Sequence, residues 1–418
     1  MTSETSKSCY VWIWLPGQAS PVVAGRITQA GNRYLFTYGR SYLSHPDAIP
    51  IDPEALPLEE KVFEKKTGTD TIPGAIRDSS PDAWGRRVIL NTLMGQKGRQ
   101  ADTGVLDEMT YMLESGSDRI GALDFQLSPR EYIPRISANV ALEELQKSAE
   151  LVEQGIPLTH ELAQALNHGT SIGGARPKVL IESQQKKYIA KFSSSTDQYN
   201  VIKAEYIGMK LAKASGLNVA DVLLEHVGGK DVLLIEWFDR IQLPDGGWSR
   251  KLMLSALTLL NLDEMTSRYA SYSDFAEIIR QRFSEPVQTL HEMFSRIVFN
   301  ILIGNTDDHA RNHAAFWNGK SLSLTPAYDL CPQMRHGGEA SQAMAIVGDD
   351  RSSRLVTCLA GAANFMLSEE KGRNIIDSQT AVIRNRFDAV CDDAGLPIVD
   401  REILMQRMLQ QPYAFQGY

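Results

Sequence analysis

The sequence predicts an α+β protein, with its strands gathered in the first 240 residues and mainly helix after them. Three observations predict it. Short β-rich runs at Tyr10 to Leu15 and Arg33 to Tyr38 are punctuated by Gly17 and Gly31-Asn32. A strand-turn-strand pattern then joins Lys178 to Glu182 with Tyr188 to Phe192, and a very apolar run, Val232 to Ile235, follows it. From Lys251 onward the pattern is helical apart from one hairpin, Ala314 to Trp317 and Ser321 to Leu324 across Asn318-Gly319.

The remaining elements fill in this frame. Pro81 to Met94 predicts a helix with Pro81 in its first turn, capped by Asp78, Ser79 or Ser80 and ended by Gly95. Gly121 to Gln126 reads as a short strand, and Ala141 to Asn167 as one helical stretch. Asn200 to Ser215 predicts a helix closed by Gly216. A chain of 418 residues suits two or three domains. The expected boundaries are 1–145 for an N-terminal α+β subdomain, 146–240 for a β-rich lobe and 241–418 for a mainly helical lobe.

Composition narrows the classes. Hydrophobic residues are 43% and charged residues 22% of the chain, which is ordinary for a globular protein. A net charge of −8 argues against a protein that grips nucleic acid directly, though not against one with a basic partner that does. Cys9, Cys331, Cys358 and Cys391 have no zinc or Cys-x-x-Cys spacing. With no leader pattern and no apolar run of spanning length, the expectation is a cytoplasmic protein with reduced thiols and no membrane contact.

The chemistry concentrates in Asn305-Thr306-Asp307-Asp308-His309-Ala310-Arg311-Asn312. An Asp followed five residues later by an Asn is the catalytic-loop spacing of protein kinases, where the Asp accepts the substrate hydroxyl proton and the Asn holds Mg²⁺. Asp307 and Asn312 have that spacing. Past the hairpin, Asp329 in Tyr328-Asp329-Leu330 stands where a kinase places its second metal-binding residue. Alone, such a polar cluster is as well explained by a capped helix or a loop.

Upstream pieces add to it in order. Ser171-Ile172-Gly173-Gly174-Ala175-Arg176-Pro177-Lys178 permits a tight turn whose amides approach phosphate, or a plain turn before a strand. Lys191 alternates with Ala190 and Phe192 and so faces away from them, toward phosphates or simply toward solvent. Glu205, on the next helix, would hold Lys191 as a kinase glutamate does, or be an ordinary helix residue. Glu236-Trp237-Phe238 follows a buried strand at the place of an interlobe hinge, with Asp239 available to ribose or to Arg240. Glycine loop, lysine, glutamate, hinge, catalytic Asp and Asn, then metal Asp is the order of a two-lobed protein-kinase-like fold.

With those residues in view, the chain resembles the HipA toxin kinases. The resemblance rests on Ser171 to Lys178, Ile189 to Phe192, Glu236 to Arg240, Thr306 to Asn312 and Leu324 to Leu330. It extends to Ser79-Ser80-Pro81-Asp82 and Ser117-Asp118-Arg119-Ile120-Gly121-Ala122. It implies a serine/threonine protein kinase that uses ATP and Mg²⁺, with Asp307 as base and Asn312 and Asp329 as metal ligands. Gly173, Gly174, Ala175, Arg176, Pro177, Lys178 and Lys191 would meet the phosphates. Glu236, Trp237 and Phe238 would hold adenine, Asp239 would lie near the ribose, and His309 and Tyr328 would flank the nucleotide. Ser171 matches an autophosphorylated serine that switches the kinase off. The implied partners are a protein substrate, in such toxins often an aminoacyl-tRNA synthetase, and a small helix-turn-helix antitoxin through which DNA is reached. Asp308 and Arg311 replace a glycine and a lysine frequent in the family, and Asp308 sets a second carboxylate beside the base. Competing readings are a small-molecule kinase, an AMPylating enzyme, and a kinase-like co-repressor with little activity.

Overall fold

The computed structural model describes residues 7–418 except 66–71, 100, 137–139, 168–175, 183–185 and 336; the side chains at 96, 99, 160, 164 and 167 are also left undescribed. The chain divides into two compact units. The first comprises 1–198, 225–254 and 316–320, and the second 199–224, 255–315 and 321–418.

Among the described residues the first unit holds two larger sheets. One is antiparallel and five-stranded, in the order Val62–Phe63, Arg33–Tyr38, Val22–Ala30, Ser8–Ile13, Leu123–Gln126. The other orders Lys178–Glu182, Lys187–Phe192, Lys230–Glu236 and Val222–Val227. One face of that second sheet buries Val179, Ala190, Phe192, Val232 and Leu234 against Trp84 and Val88 of helix Ala83–Met94 and against Leu145, Ala149 and Val152 of helix Leu142–Gln154. Each such fully buried side chain contributes roughly 1.5–3 kcal/mol, so this shared core ties the N-terminal helix to the sheet.

Several elements differ from expectation for identifiable reasons. The helix expected from Pro81 starts at Ala83, capped by Asp82, whose Oδ1 accepts from the Gly85 amide at 2.7 Å. Pro81 therefore precedes the cap, and Asp78, Ser79 and Ser80 do not serve as one. The stretch 141–167 is two helices, Leu142–Gln154 and His160–Asn167, because Gly155 takes φ +74 as a left-handed C-cap and Pro157 follows. Arg240–Gln242 and Trp248–Arg250 pair as a small hairpin, and Leu252–Ser255 is a strand where helix was expected.

The second unit is mainly helical. Helix Val201–Ala214 is capped by Asn200, which accepts from the Lys203 amide at 3.0 Å, and ends before Gly216 at φ +85. A Cβ at Gly208 would lie 2.2 Å from the Leu330 carbonyl, so glycine alone lets the segment after Asp329 pack this closely on the helix. Helix Pro286–Leu302 has Pro286 in its first turn and buries an apolar face from Leu290 to Leu302. It stops at Gly304, φ +69, and the segment 305–313 leaves directly from its end. The hairpin is present as Ala314–Trp317 and Leu322–Leu324, with Gly319 at φ +90 in the turn. All four cysteines are buried and unlinked. Among the described residues no helix is long and apolar enough to cross a membrane.

Candidate functional site

Three groups of the second unit meet at the end of helix Pro286–Leu302. Asp307 is exposed, while the next residue, Asp308, is 1% exposed. Local backbone bonds make the loop compact: the His309 amide donates to the Asp307 carbonyl at 2.9 Å and the Asn312 amide to that of His309 at 2.8 Å. The Asn312 side-chain amide also donates to the Asp307 carbonyl, at 3.2 Å, so the five-residue spacing closes on itself. Tyr328 donates its hydroxyl to the Arg311 carbonyl at 2.7 Å, which ties the segment carrying Asp329 to the loop.

Electrostatics marks the same spot. Partial desolvation pushes the Asp307 carboxyl above the ordinary Asp value; the His309 ring opposes this, and the charges of Asp329 and Asp308 add to it. Neighbouring carboxylate charges that raise the proton affinity of Asp307 make a place where a cation is favoured. The Asn312 amide oxygen and the Asp329 carboxylate are oxygen donors suited to Mg²⁺, which takes few protein ligands and completes its shell with phosphate and water. Nδ1 of His309 is buried without a hydrogen-bond partner. These features fit a metal–nucleotide complex. Asp329 adopts φ +60, a left-handed conformation that is uncommon outside glycine.

Asp308 is occupied differently. Its carboxylate accepts from the Tyr272 hydroxyl, from Asn300 Nδ2 at 2.7 Å and from His313 Nε2 at 3.0 Å. Tyr272 is itself held well above the ordinary Tyr value, by burial first and then by the Asp308 charge. Asp308 is thus a buried carboxylate fully engaged by its neighbours, whereas Asp307 is exposed. Sequence reasoning missed Tyr272 and Asn300 and gave Asn305 no role of its own; only Asp308's odd placement hinted that something must receive it.

The first unit carries the remaining predicted residues. Ser171, Gly173, Gly174 and Ala175 lie outside the described residues. Arg176 pairs with Asp197 at 2.6 Å. The Pro177 carbonyl accepts from the Phe192 amide at 2.9 Å. Lys178 is 1% exposed, with its ammonium 2.9 Å from Asp82 Oδ2 and its carbonyl accepting from the Trp84 indole at 3.0 Å. In register Lys178 lies opposite Lys191, on the face away from the core. Like charges facing across strands are unfavourable, and Asp82 offsets one of them.

The expected hinge is bound to the N-terminal region. Asp239 is fully buried and accepts from the Gly121 amide at 2.6 Å and from Arg240 at 2.9 Å. Burial raises the Asp239 carboxyl, against the lowering effects of Arg240 and the Gly121 amide. Arg240 stacks on Trp237 at 3.9 Å. Burial alone would raise Asp118 too, but Arg240, Arg250 and Lys187 outweigh it and hold Asp118 far below the ordinary range. Glu236 meets Lys186 at 2.5 Å, and Phe238 packs edge-on against Phe316. Glu205, in the second unit, is 1% exposed on helix Val201–Ala214.

Comparison with known proteins agrees with this layout. The family model described as HipA N-terminal domain matches residues 13–126, and that described as HipA-like C-terminal domain matches 170–388. A Sinorhizobium fredii protein, Y4mE, whose name makes it a candidate kinase, is 25% identical over 76% of this chain and 76% of its own. The serine/threonine-protein kinase toxin HipA of Shewanella oneidensis is 27% identical over 52% of this chain; the match spans about half of that relative, 55%. Among solved structures, the complex of HipA, HipB and operator DNA from Shewanella oneidensis MR-1 aligns over 95% of this chain and 94% of its own, with a TM-score of 0.63 at 19% identity.

Proposed function

This chain belongs to the HipA family, and on that premise we propose that it is an ATP- and Mg²⁺-dependent serine/threonine protein kinase. The observation that carries the proposal is the exposed Asp307, crowded by the charge of Asp329 and closed against Asn312. Asp307 orients the acceptor hydroxyl and takes its proton at the carboxylate. Asn312 and Asp329 hold the metal, which when bound would neutralise charge on the transferring phosphoryl group. His309 and Tyr328 border the nucleotide. Arg176, Lys191, the backbone from Glu236 to Phe238 and the segment 171–175 are assigned to ATP by the family resemblance. Lys178 and Asp239, which the resemblance set against the nucleotide, are buried against other residues of their unit and are assigned a supporting role instead.

The substrate is a protein serine or threonine, and a HipB-like antitoxin is the proposed partner that contacts operator DNA, by analogy with the Shewanella complex. The chain is incubated with Mg·ATP and read by intact mass and phosphosite mapping. A phosphate increment on a serine or threonine supports the proposal; its absence from both the chain and any acceptor protein refutes it.

Two outcomes are expected. Asp329→Ala weakens ATP binding in the presence of Mg²⁺ and leaves binding in EDTA unchanged, because its carboxylate acts through the ion. Equal loss in both calorimetric titrations would make Asp329 a structural residue. Ser171 gains a phosphate in the active chain, and ATP affinity then falls, because about −1.5 to −2 added charges repel the nucleotide and compete for Arg176. Unmodified Ser171 in a chain made with an intact site would sink this switch and leave the kinase reading standing.

A further inference from the structure

We propose that Asp308 is a positioning residue that fixes the base loop against the metal-binding residue through a buried hydrogen-bonded chain. The inference rests on the kinase reading of Asp307 and Asp329. Tyr272, Asn300, Asn305, Asp308 and His313 are each at most 2% exposed. Asp308 accepts from three of them: the Tyr272 hydroxyl, Asn300 Nδ2 and His313 Nε2. Asn300 turns its oxygen the other way and accepts from Asn305 Nδ2 at 2.9 Å. The same Asn305 nitrogen donates to the Asp329 backbone carbonyl at 3.3 Å, and the Asn305 amide returns to the Asn300 carbonyl at 2.8 Å. The chain therefore runs from the residue beside the base to the backbone of the metal residue.

Its chemistry explains its composition. A carboxylate is acceptor-only, and here it meets three donors. The two asparagines pass that polarity on because each has both a donor and an acceptor. Asp329 is held at φ +60, and a residue in that region persists only where its surroundings over-determine it. Asn305 and the Cys331 amide, at 3.1 Å, both hold its carbonyl. The network reaches the site through the backbone carbonyl of Asp329, so it sets geometry. An amide at 308 would present hydrogens to groups that are already donors, and one oriented oxygen cannot serve all three.

The test uses Asp308→Asn, Tyr272→Phe and Asn305→Ala in the full chain. Self-phosphorylation is measured as maximal rate and ATP half-saturation, and ATP affinity is titrated with Mg²⁺ and with EDTA. Asp308→Asn is expected to lower the maximal rate by about 10²-fold, the scale of a 1 Å misplacement, with ATP half-saturation rising only as far as the Mg²⁺ gain falls. Tyr272→Phe falls in the same direction by less. Asp308→Asn and Asn305→Ala shrink the gain in ATP affinity given by Mg²⁺ and leave affinity in EDTA intact. Parent-like rates and parent-like Mg²⁺ gain overturn the proposal, as does parallel loss of rate and metal-free affinity, which is what a loosened fold gives. Should Asp308→Asn not fold, Tyr272→Phe decides by the same readouts. If the parent chain phosphorylates neither itself nor an acceptor protein, the proposed function has failed, and the Mg²⁺ gain alone decides this inference. Retained activity in Asp307→Asn with none in Asp308→Asn would mean the two carboxylates have exchanged roles, and overturns both.

Discussion

Asp307→Asn is expected to lose phosphoryl transfer by about 10²–10⁴-fold, the contribution of a positioned general base. The amide is the same size, so the loop bonds among Asp307, His309 and Asn312, which use the backbone carbonyl of 307, survive the change. Removing one of two crowded carboxylates also removes repulsion of the phosphates, so Mg·ATP affinity stays or improves. Loss of rate with retained affinity therefore separates chemistry from binding. Phosphate incorporation under saturating Mg·ATP measures the first, and calorimetry the second. A variant that keeps more than about a tenth of the parent rate, well outside that range, would mean that Asp307 is not the base. Asp308 is a poor substitute in this structure, because three buried donors already occupy it.

The second large effect is on stability. Arg119→Met is expected to destabilise the first unit by about 3–5 kcal/mol, the cost of removing one member of a buried ion pair. Arg119 and Asp124 are both fully buried, with Nε to Oδ1 at 2.9 Å. The guanidinium also donates to the carbonyls of Ser79, Met112 and Ser115. Methionine keeps most of the volume and returns none of these bonds, and Arg135 is left as the guanidinium paired with Asp124. Such a loss is a large share of the 5–15 kcal/mol that holds a typical domain. Arg373→Met, which breaks an exposed pair with Glu369, serves as the contrast and is expected to leave the melting curve in place. Parent-like melting of Arg119→Met would show that the cluster is not integral to the unit.

The resemblance placed Ser117 to Ala122 and Ser79 to Asp82 among the matching residues without giving them work to do. Their work is structural: Asp118, Arg119 and Gly121 bind the segment from Arg240 back to the N-terminal sheet. Local signals were legible where one residue type decides the matter, as with Gly319 in its turn or Lys191 alternating with Ala190 and Phe192. Choices made by distant partners were not. Asp78, Ser79 and Ser80 offer capping oxygens, yet Asp82 caps the helix, and Lys178, 96 residues further on, pairs with it. Strand Val22–Ala30 contains Gly25, a poor strand former; a Cβ there would lie 2.3 Å from the Thr37 carbonyl, so close strand approach demanded the glycine. Asp307 and Asp308 are neighbours in sequence with opposite fates, and the difference lies with Tyr272, 36 residues earlier.

The core beneath the second sheet bears on how such a protein descends with modification. Trp84 and Val88 come from the N-terminal family match, Phe192 and Leu234 from the C-terminal one, and Leu145, Ala149 and Val152 from the stretch joining them. A crossover within residues 127–169 that joined halves from two distant lineages would bring together surfaces that had never been selected against each other. The Trp84 indole would face a foreign backbone, and Asp82 a position with no guaranteed lysine. Compatible exchanges would have to move these residues together, so the two matched stretches are expected to travel through genomes as one heritable block.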